Sequence, residues 1–504
     1  MRTTIKIVIL LFFICTSMSG TSSPDMEKYM RQHALIWEQL PMQWNEGAFL
    51  GNGFVGMIVY ADSTLNALVF HLGRPDVTDH RKAPYRKTSI GTEEADKMVD
   101  FCRLDIGKML LFPEGKILSG TFYLDIYNAE LTGHLKTDKG DLTFHAYTPQ
   151  PEEVNIVEVS SGIPYRWKGI PGNPCSPRIR VFPHLKEKLK YKDNPVPVVN
   201  QKDKEGSWVQ SLLAGGDYAT YWKEVPDGKS RSVLYISTAN EVPASSLSLA
   251  KAIKTVEAAQ ITGTKLLKQK TRQWWNAYHE RSFLSIPDKK LENFYFIQMY
   301  KLATCSHPDG PAMDVMGTFF KLSPWPSFWW NLNIQLTYMP IGPANRMEQG
   351  KNFQRLMDEV FPSLVRSIEP CKIGDYTWAL QNYYMYLRYA GAGWQDIKQQ
   401  VVPKALDAFA VFDKILCYKE NTWHLTHIES PEYEGFQKYN DSNYGLASLS
   451  WLLQTLIACY DRTSSTHPDY ARWKEILTRL APYPTNENGL MIAANKPLEK
   501  SHRH

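Results

Sequence analysis

S-P-W-P-S-F-W-W-N-L-N-I-Q-L-T-Y-M-P-I-G-P-A-N-R, residues Ser323 to Arg346, is the stretch around which the chain is organised. It sets four aromatic side chains, Trp325, Phe328, Trp329 and Trp330, beside two carboxamides, Asn331 and Asn333. Pyranose rings have apolar C–H faces and polar rims. Mostly apolar pockets with a few placed polar groups are how small-molecule sites are built. Asn331 and Asn333 stand two residues apart, so on a strand or extended turn they share a face. From Leu332 the positions Asn333, Leu336, Thr337 and Pro340 follow helical spacing, which predicts a helix beginning here. Either geometry lets two carboxamides converge, each offering an acceptor oxygen and two donor hydrogens. The competing reading makes Asn331 a helix cap and the tryptophans core.

This stretch lies just inside a change of period. Before it, residues 24–244 read as a β-rich domain. V-G-M-I-V-Y-A, A-L-V-F-H-L and L-T-F-H-A-Y are short branched or aromatic runs broken by D-S-T-L-N, D-K-G-D and G-I-P-G-N-P, which predicts an antiparallel β-sandwich. Ser232 to Ala239 supplies one of its last strands. Residues 245–284 read as a helical linker, with Leu247, Ile253, Val256 and Leu266 recurring at mixed spacings of three and four. From residue 285 to 504 the pattern is helical. Five apolar-periodic segments stand out, beginning at Leu291, Asn352, Thr377, Ala405 and Tyr444, and a sixth runs from Tyr470 to Leu480. Successive helices with polar loops between them suit an α/α toroid.

The chain has 504 residues, with 43% hydrophobic and 22% charged, ordinary values for a globular protein of two or more domains. Its 15 Trp and 27 Tyr suit a carbohydrate site. Residues 1–20 read as a secretory signal peptide: Arg2 and Lys6, the apolar run Ile7 to Cys15, then Ser17, Ser19 and Gly20. This predicts a secreted or periplasmic protein with no membrane span. A lipid anchor on Cys15 fits less well, because Ile14 is bulky. Net charge is +5, and removing Arg2 and Lys6 leaves +3, too mild to argue for nucleic acid. The seven cysteines are widely spaced, without C-x-x-C or a Cys/His cluster, so neither a zinc site nor a disulfide framework is indicated. No H-E-x-x-H, EF-hand loop, Walker A or G-x-S-x-G occurs, and no cofactor or metal is expected. Leu50 to Gly56 carries three glycines but lacks the Lys-Ser/Thr of a phosphate loop.

H-L-T-H-I-E-S-P-E-Y-E-G-F, His424 to Phe436, gathers three glutamates around Pro431, which forces an irregular loop. A carboxyl held against an aromatic surface has its pKa raised by desolvation, as a general acid near neutral pH requires. Glu432 is the candidate acid and Glu429 the alternative. A competing reading has Ser430 capping a helix with Glu432 and Glu434 in its first turn. Glycoside hydrolysis by inversion places its acid and base roughly 6.5–9.5 Å apart to admit a water.

W-W-N-L-N-I-Q-L-T-Y-M-P resembles the N-I-N-x-Q-M-N-Y-W-P segment of glycoside hydrolase family 95, the inverting α-L-fucosidases and α-L-galactosidases. L-G-N-G-F-V-G-M (Leu50 to Met57), E-S-P-E-Y (Glu429 to Tyr433) and H-R-H (His502 to His504) match in order, so the resemblance spans residues 35–504. It implies an N-terminal β-sandwich and an all-α (α/α)6 barrel acting on an oligosaccharide or polysaccharide by single displacement. It also implies Glu432 as catalytic acid and Asn331 and Asn333 as the amides that orient the water. Substrate contacts are implied for Trp378, Arg503 and His504, and for Trp44 and Glu46 beside the Leu50 to Gly56 loop. Asp375 and Gln381 are further candidates. The family's assisting aspartate lies in a later Asp-Gly-Asn-Phe-Gly motif that does not occur here, and Asp441 is the stand-in on offer. Only about half the helices of a closed barrel fit into 285–504, which predicts a truncated barrel with exposed helix faces. Two alternatives remain beside the hydrolase: an inactive glycan-binding remnant, and a polysaccharide lyase, which requires a basic cleft for uronic acids.

Overall fold

The computed structural model describes residues 25–79, 81, 102–241, 247–330, 332–430, 433–434 and 437–499. The leader at 1–20 and four candidate site residues, Asn331, Glu432, Arg503 and His504, lie outside the described residues.

A sheet-rich region comes first. It runs through β1 (Leu35–Trp37), β2 (Ala48–Gly51), β3 (Gly56–Asp62), β4 (Ala67–Gly73), β5 (Lys108–Pro113), β6 (Ile117–Asp125) and β7 (Glu130–Thr137). It continues with β8 (Gly140–Tyr147), β9 (Val154–Ser161), β10 (Tyr165–Ile170), β11 (Val198–Gln201), β12 (Glu205–Ser211), β13 (Asp217–Pro226) and β14 (Arg231–Glu241). A large sheet has the order β1-β6-β7-β8-β9-β14-β13-β12-β11 and a small one the order β10-β5-β4-β3-β2. Their inner faces share a core in which Phe70 of β4 meets Phe144 of β8 edge-on, 5.5 Å between ring centroids.

β7 and β8 alternate buried and exposed residues along much of their length, whereas β3 is buried almost throughout. The reason is a third layer. Met57 and Val59 of β3 face the sandwich core, while Ile58, between them, belongs to the core of the helical region, with Phe49 and Tyr60 packed against it. The small sheet is thus covered on both faces, which is why V-G-M-I-V-Y-A is a continuous apolar run. The outer face of the large sheet is covered in turn. Tyr147, Ile156, Val233 and Tyr235 pack against Val256, Ala259 and Leu267. Those three come from two helices, Ser248–Thr262 and Thr264–Glu280, which part at Gly263, where φ is +79°.

Helix Lys289–Cys305 opens the helical region. Asp288 caps it by accepting from the amides of Lys290 and Leu291. Tyr300 on this helix donates to the Phe49 carbonyl of β2. Helices Lys351–Glu359, Phe361–Ser367, Ile373–Tyr389, Trp394–Gln400, Val402–Phe412, Asn443–Arg462 and Tyr470–Thr478 follow. The segment read as one helix from Asn352 is split at Val360, because Pro362 has no amide hydrogen for the ladder. Ile373–Tyr389 and Asn443–Arg462 pack side by side. Leu336, Met339, Met385 and Tyr389 are each roughly half exposed.

The expectation of an all-α second domain needs correcting. Three two-stranded ribbons interrupt the helices: Leu416–Lys419 with Thr422–Leu425, Ile428–Glu429 with Lys438–Tyr439, and Thr485–Asn486 with Gly489–Leu490. Backbone groups in these connections pair with one another instead of with a helix.

Candidate active site

The aromatic stretch is held from the sandwich side. Arg103, 1% exposed, donates to both oxygens of Asp314 at 3.2 and 3.1 Å and to the carbonyls of Gly317 and Phe319. Its own amide donates to the Pro326 carbonyl. Arg178 donates to the Pro324 carbonyl and lays its guanidinium 4.9 Å from the Trp325 ring centroid. Phe328, Trp329 and Trp330 are buried, and Trp330 stacks on Tyr376 at 6.1 Å. These three therefore serve the core, as the competing reading had it, and only Trp325 is exposed.

Leu332, between the two asparagines, has φ +66°, sparsely populated for a branched residue. The expected helix starts directly after it, at Asn333–Tyr338, with the Asn333 side chain exposed on its first turn. Gln335 is fully buried and donates to the carbonyls of Trp330 and Asp375.

The turn Pro370–Lys372 and the start of helix Ile373–Tyr389 join this stretch to the ribbon that carries Glu429. On one side the Asp375 carbonyl receives Gln335 at 2.9 Å. On the other the Cys371 thiol lies 3.8 Å from a Glu429 oxygen. Glu429 sits on its ribbon opposite Lys438 and is 8% exposed. Burial pushes its carboxyl up to about 7, against the opposing charges of Lys372 and Lys438. Asp375 is pushed up to about 8, again chiefly by burial, with the Tyr444 hydroxyl opposing and Glu429 adding to the rise. Two carboxyls poised near neutrality are a mark of functional sites.

Among the described residues Ser430 caps no helix. The capping serine is Ser442, whose hydroxyl accepts from the Gly445 amide at the start of Asn443–Arg462. Glu434 is tied to Tyr439 and Lys496 at the surface. Asp441 accepts from the Leu425 amide at 2.9 Å and lies 2.7 Å from His424 Nδ1, so its carboxylate is already engaged.

Trp378 lines a groove of about 270 Å3 between helices Ile373–Tyr389 and Asn443–Arg462, together with Thr377, Gln381, Tyr444, Ser448 and Trp451. Trp44 and Glu46 do not line it. Trp44 is half-buried against the helical core with Lys321 over its ring, and Glu46 is exposed on the turn before β2. The Leu50 to Gly56 loop forms a seam between the regions. The Gly53 amide donates to the Thr304 carbonyl, and a Cβ on Gly53 would collide with His307. A larger cavity, about 440 Å3, lies at the sandwich edge between Glu38 and Gly120, and no aromatic ring lines it.

Sequence reading overlooked Tyr444, Trp451 and Lys372. Tyr444 and Trp451 are seven apart in a run whose period looks the same for a core face and a groove wall. Among the described residues no group of three or more His, Cys, Asp or Glu is placed to hold a metal ion. No described helix is long and apolar enough to cross a membrane.

No family model matches the chain, and no curated protein matches it. Among solved structures, a protein described as a kojibiose phosphorylase from the human microbiome superposes with a TM-score of 0.61 at 9% identity, over 92% of this chain and 72% of that one. A bacterial glucoamylase complexed with acarbose superposes at 0.44 and 8% identity, over 88% of this chain and 69% of its own. The first likeness is one of fold alone: a sheet-rich N-terminal region followed by a helical region.

Proposed function

We propose that this chain is a carbohydrate-active enzyme of the glycosidase kind that hydrolyses α-L-fucosides or α-L-galactosides with inversion, exported by its leader. Glu432 is the general acid, and Asn331 and Asn333 position the water. Trp378 binds the sugar, and Arg503, His504, Trp44 and Glu46 are the further contacts the family resemblance suggests. The observation that supports this most is the turn at 370–375. It bonds at one end to the helix that Asn333 opens and touches, at the other, the ribbon that precedes Glu432 in sequence. Two motifs far apart in sequence thereby share one anchor beside an aromatic groove. Glu429 is the reserve acid on the same ribbon.

Phosphorolysis is the second reading, favoured by the phosphorylase among the structural neighbours. The test is release of the aryl group from aryl α-L-fucoside and α-L-galactoside, with and without inorganic phosphate, by the parent chain, Glu432→Gln and Glu429→Gln. The expected result is turnover independent of phosphate, an inverted sugar seen by NMR, and a loss of roughly 100-fold or more in Glu432→Gln, the size of a general-acid contribution. Full activity in Glu432→Gln would overturn the assignment of the acid. Turnover only with phosphate would replace hydrolysis by phosphorolysis.

A further inference from the structure

The groove between helices Ile373–Tyr389 and Asn443–Arg462 has a composition that narrows what it can take. Its lining is two indoles, Trp378 and Trp451, with Tyr444, Gln381, Ser448 and Thr377 as polar groups, and no charged side chain among them. Ala447, exposed between the walls, leaves the middle open. About 270 Å3 falls just below the roughly 300–1,000 Å3 of pockets for drug-sized ligands, a size for one ring.

Tyr444 is built into position. Its ring lies on the backbone of the facing helix at Gly374, where any Cβ would strike it. Its hydroxyl donates to Asp375 Oδ1 at 2.7 Å. With its only hydrogen committed there, the phenol oxygen keeps its lone pairs for an incoming donor.

We infer that this groove is a subsite for one neutral pyranose ring, held between Trp378 and Trp451 and accepted at a hydroxyl by Tyr444, with Asp375 as the positioning residue that fixes the phenol. The inference rests on the carbohydrate-enzyme reading above and adds three residues to it, Trp451, Tyr444 and Asp375. A uronate would find no cation among the described lining groups, and its carboxylate would lose hydration without compensation there. That weighs against the lyase alternative.

The experiment is titration of the full chain with methyl α-L-fucopyranoside, methyl α-D-glucopyranoside and methyl α-D-glucuronopyranoside. Binding is followed by tryptophan fluorescence and calorimetry. At least one neutral glycoside is expected to bind, and more tightly than the glucuronide. Trp451→Ala should raise its Kd roughly tenfold or more, as loss of a central aromatic anchor does. Tyr444→Phe should raise it roughly fivefold, the worth of one hydrogen bond. Asp375→Ala should match Tyr444→Phe, whereas Asp375→Asn, which still accepts, restores binding. Ala447→Phe fills the groove from an exposed position and should abolish binding with the fold intact by circular dichroism. Tighter binding of the glucuronide, no binding of any neutral glycoside, or unchanged Kd in both Ala447→Phe and Trp451→Ala would overturn the inference. Binding that these variants weaken, without turnover of any aryl glycoside, would leave the groove standing and remove the glycosidase reading. Turnover whose KM and kcat both ignore the variants would do the reverse.

Discussion

Glu429 and Asp375 tie stability to pH in a direction opposite to that of most carboxylates. Unperturbed, they titrate at 4.5 and 3.8, and burial moves them to about 7 and about 8. Between those limits the native state keeps protons that the unfolded chain has already released. Their contribution to stability is therefore complete below about pH 4 and declines as pH rises toward 8. The expected outcome is that Glu429→Gln and Asp375→Asn each flatten the fall in melting temperature between about pH 5 and pH 8. Differential scanning calorimetry across that range reads it, and an unchanged slope in both variants would refute the buried protons. At this scale sequence reading reached Glu429, because glutamates around a proline announce an irregular loop. It reached Asp375 only as a minor candidate, since nothing local shows that Gln335 and Tyr444 close over it. Trp329 and Trp330 resisted reading for a related cause: an indole suits a core and a sugar site equally well, and only burial separates them.

At the scale of elements, the glycine-rich run from Gly51 to Gly56 acts through packing. Gly53 combines φ +85° with contact against His307, whereas Gly391 has φ +89° and open space where a Cβ would stand. Gly53→Ala should cost about 1–3 kcal/mol through clash plus backbone strain. Gly391→Ala should cost about 1 kcal/mol through strain alone. Urea midpoints measure both, and equal shifts would mean the seam at His307 does not matter. Strands and helices were legible here because their periods are strong: β7 and β8 alternate, and Asn443–Arg462 holds its apolar face for twenty residues. The two-residue ribbon under Glu429 was not legible. So short a pairing has no period, and the partners that fix it are Lys438 and Tyr439 across an intervening loop.

At the scale of the molecule, the order of sheet-rich and helical regions could be read from the change of period, but the layered arrangement of helices on both sides of the two sheets could not. V-G-M-I-V-Y-A signals burial on both faces without saying that the second face belongs to helices. The joint between the regions includes the pair Arg103 and Asp314, 1% and 3% exposed. Asp314→Ala leaves a buried guanidinium uncompensated and should cost about 3–5 kcal/mol. Arg103→Met with Asp314→Leu should recover most of that, because an apolar pair of similar volume carries no stranded charge. Equilibrium denaturation of both variants decides the point.

The same joint has a consequence in time. Arg103 grips a segment 211 residues further along the chain, and Arg178 one 146 residues further. Both arginines belong to the part that leaves the ribosome first, and domains made first generally fold first. The sandwich is therefore a mould standing ready when Ser323 to Arg346 emerges. Contacts that span so much chain are slow to close, so the helices can wind before the tryptophan loop settles. The loop is among the last parts to be cast, since Trp330 and Gln335 also wait for Tyr376 and Asp375, which a nascent chain halted shortly after residue 346 would lack.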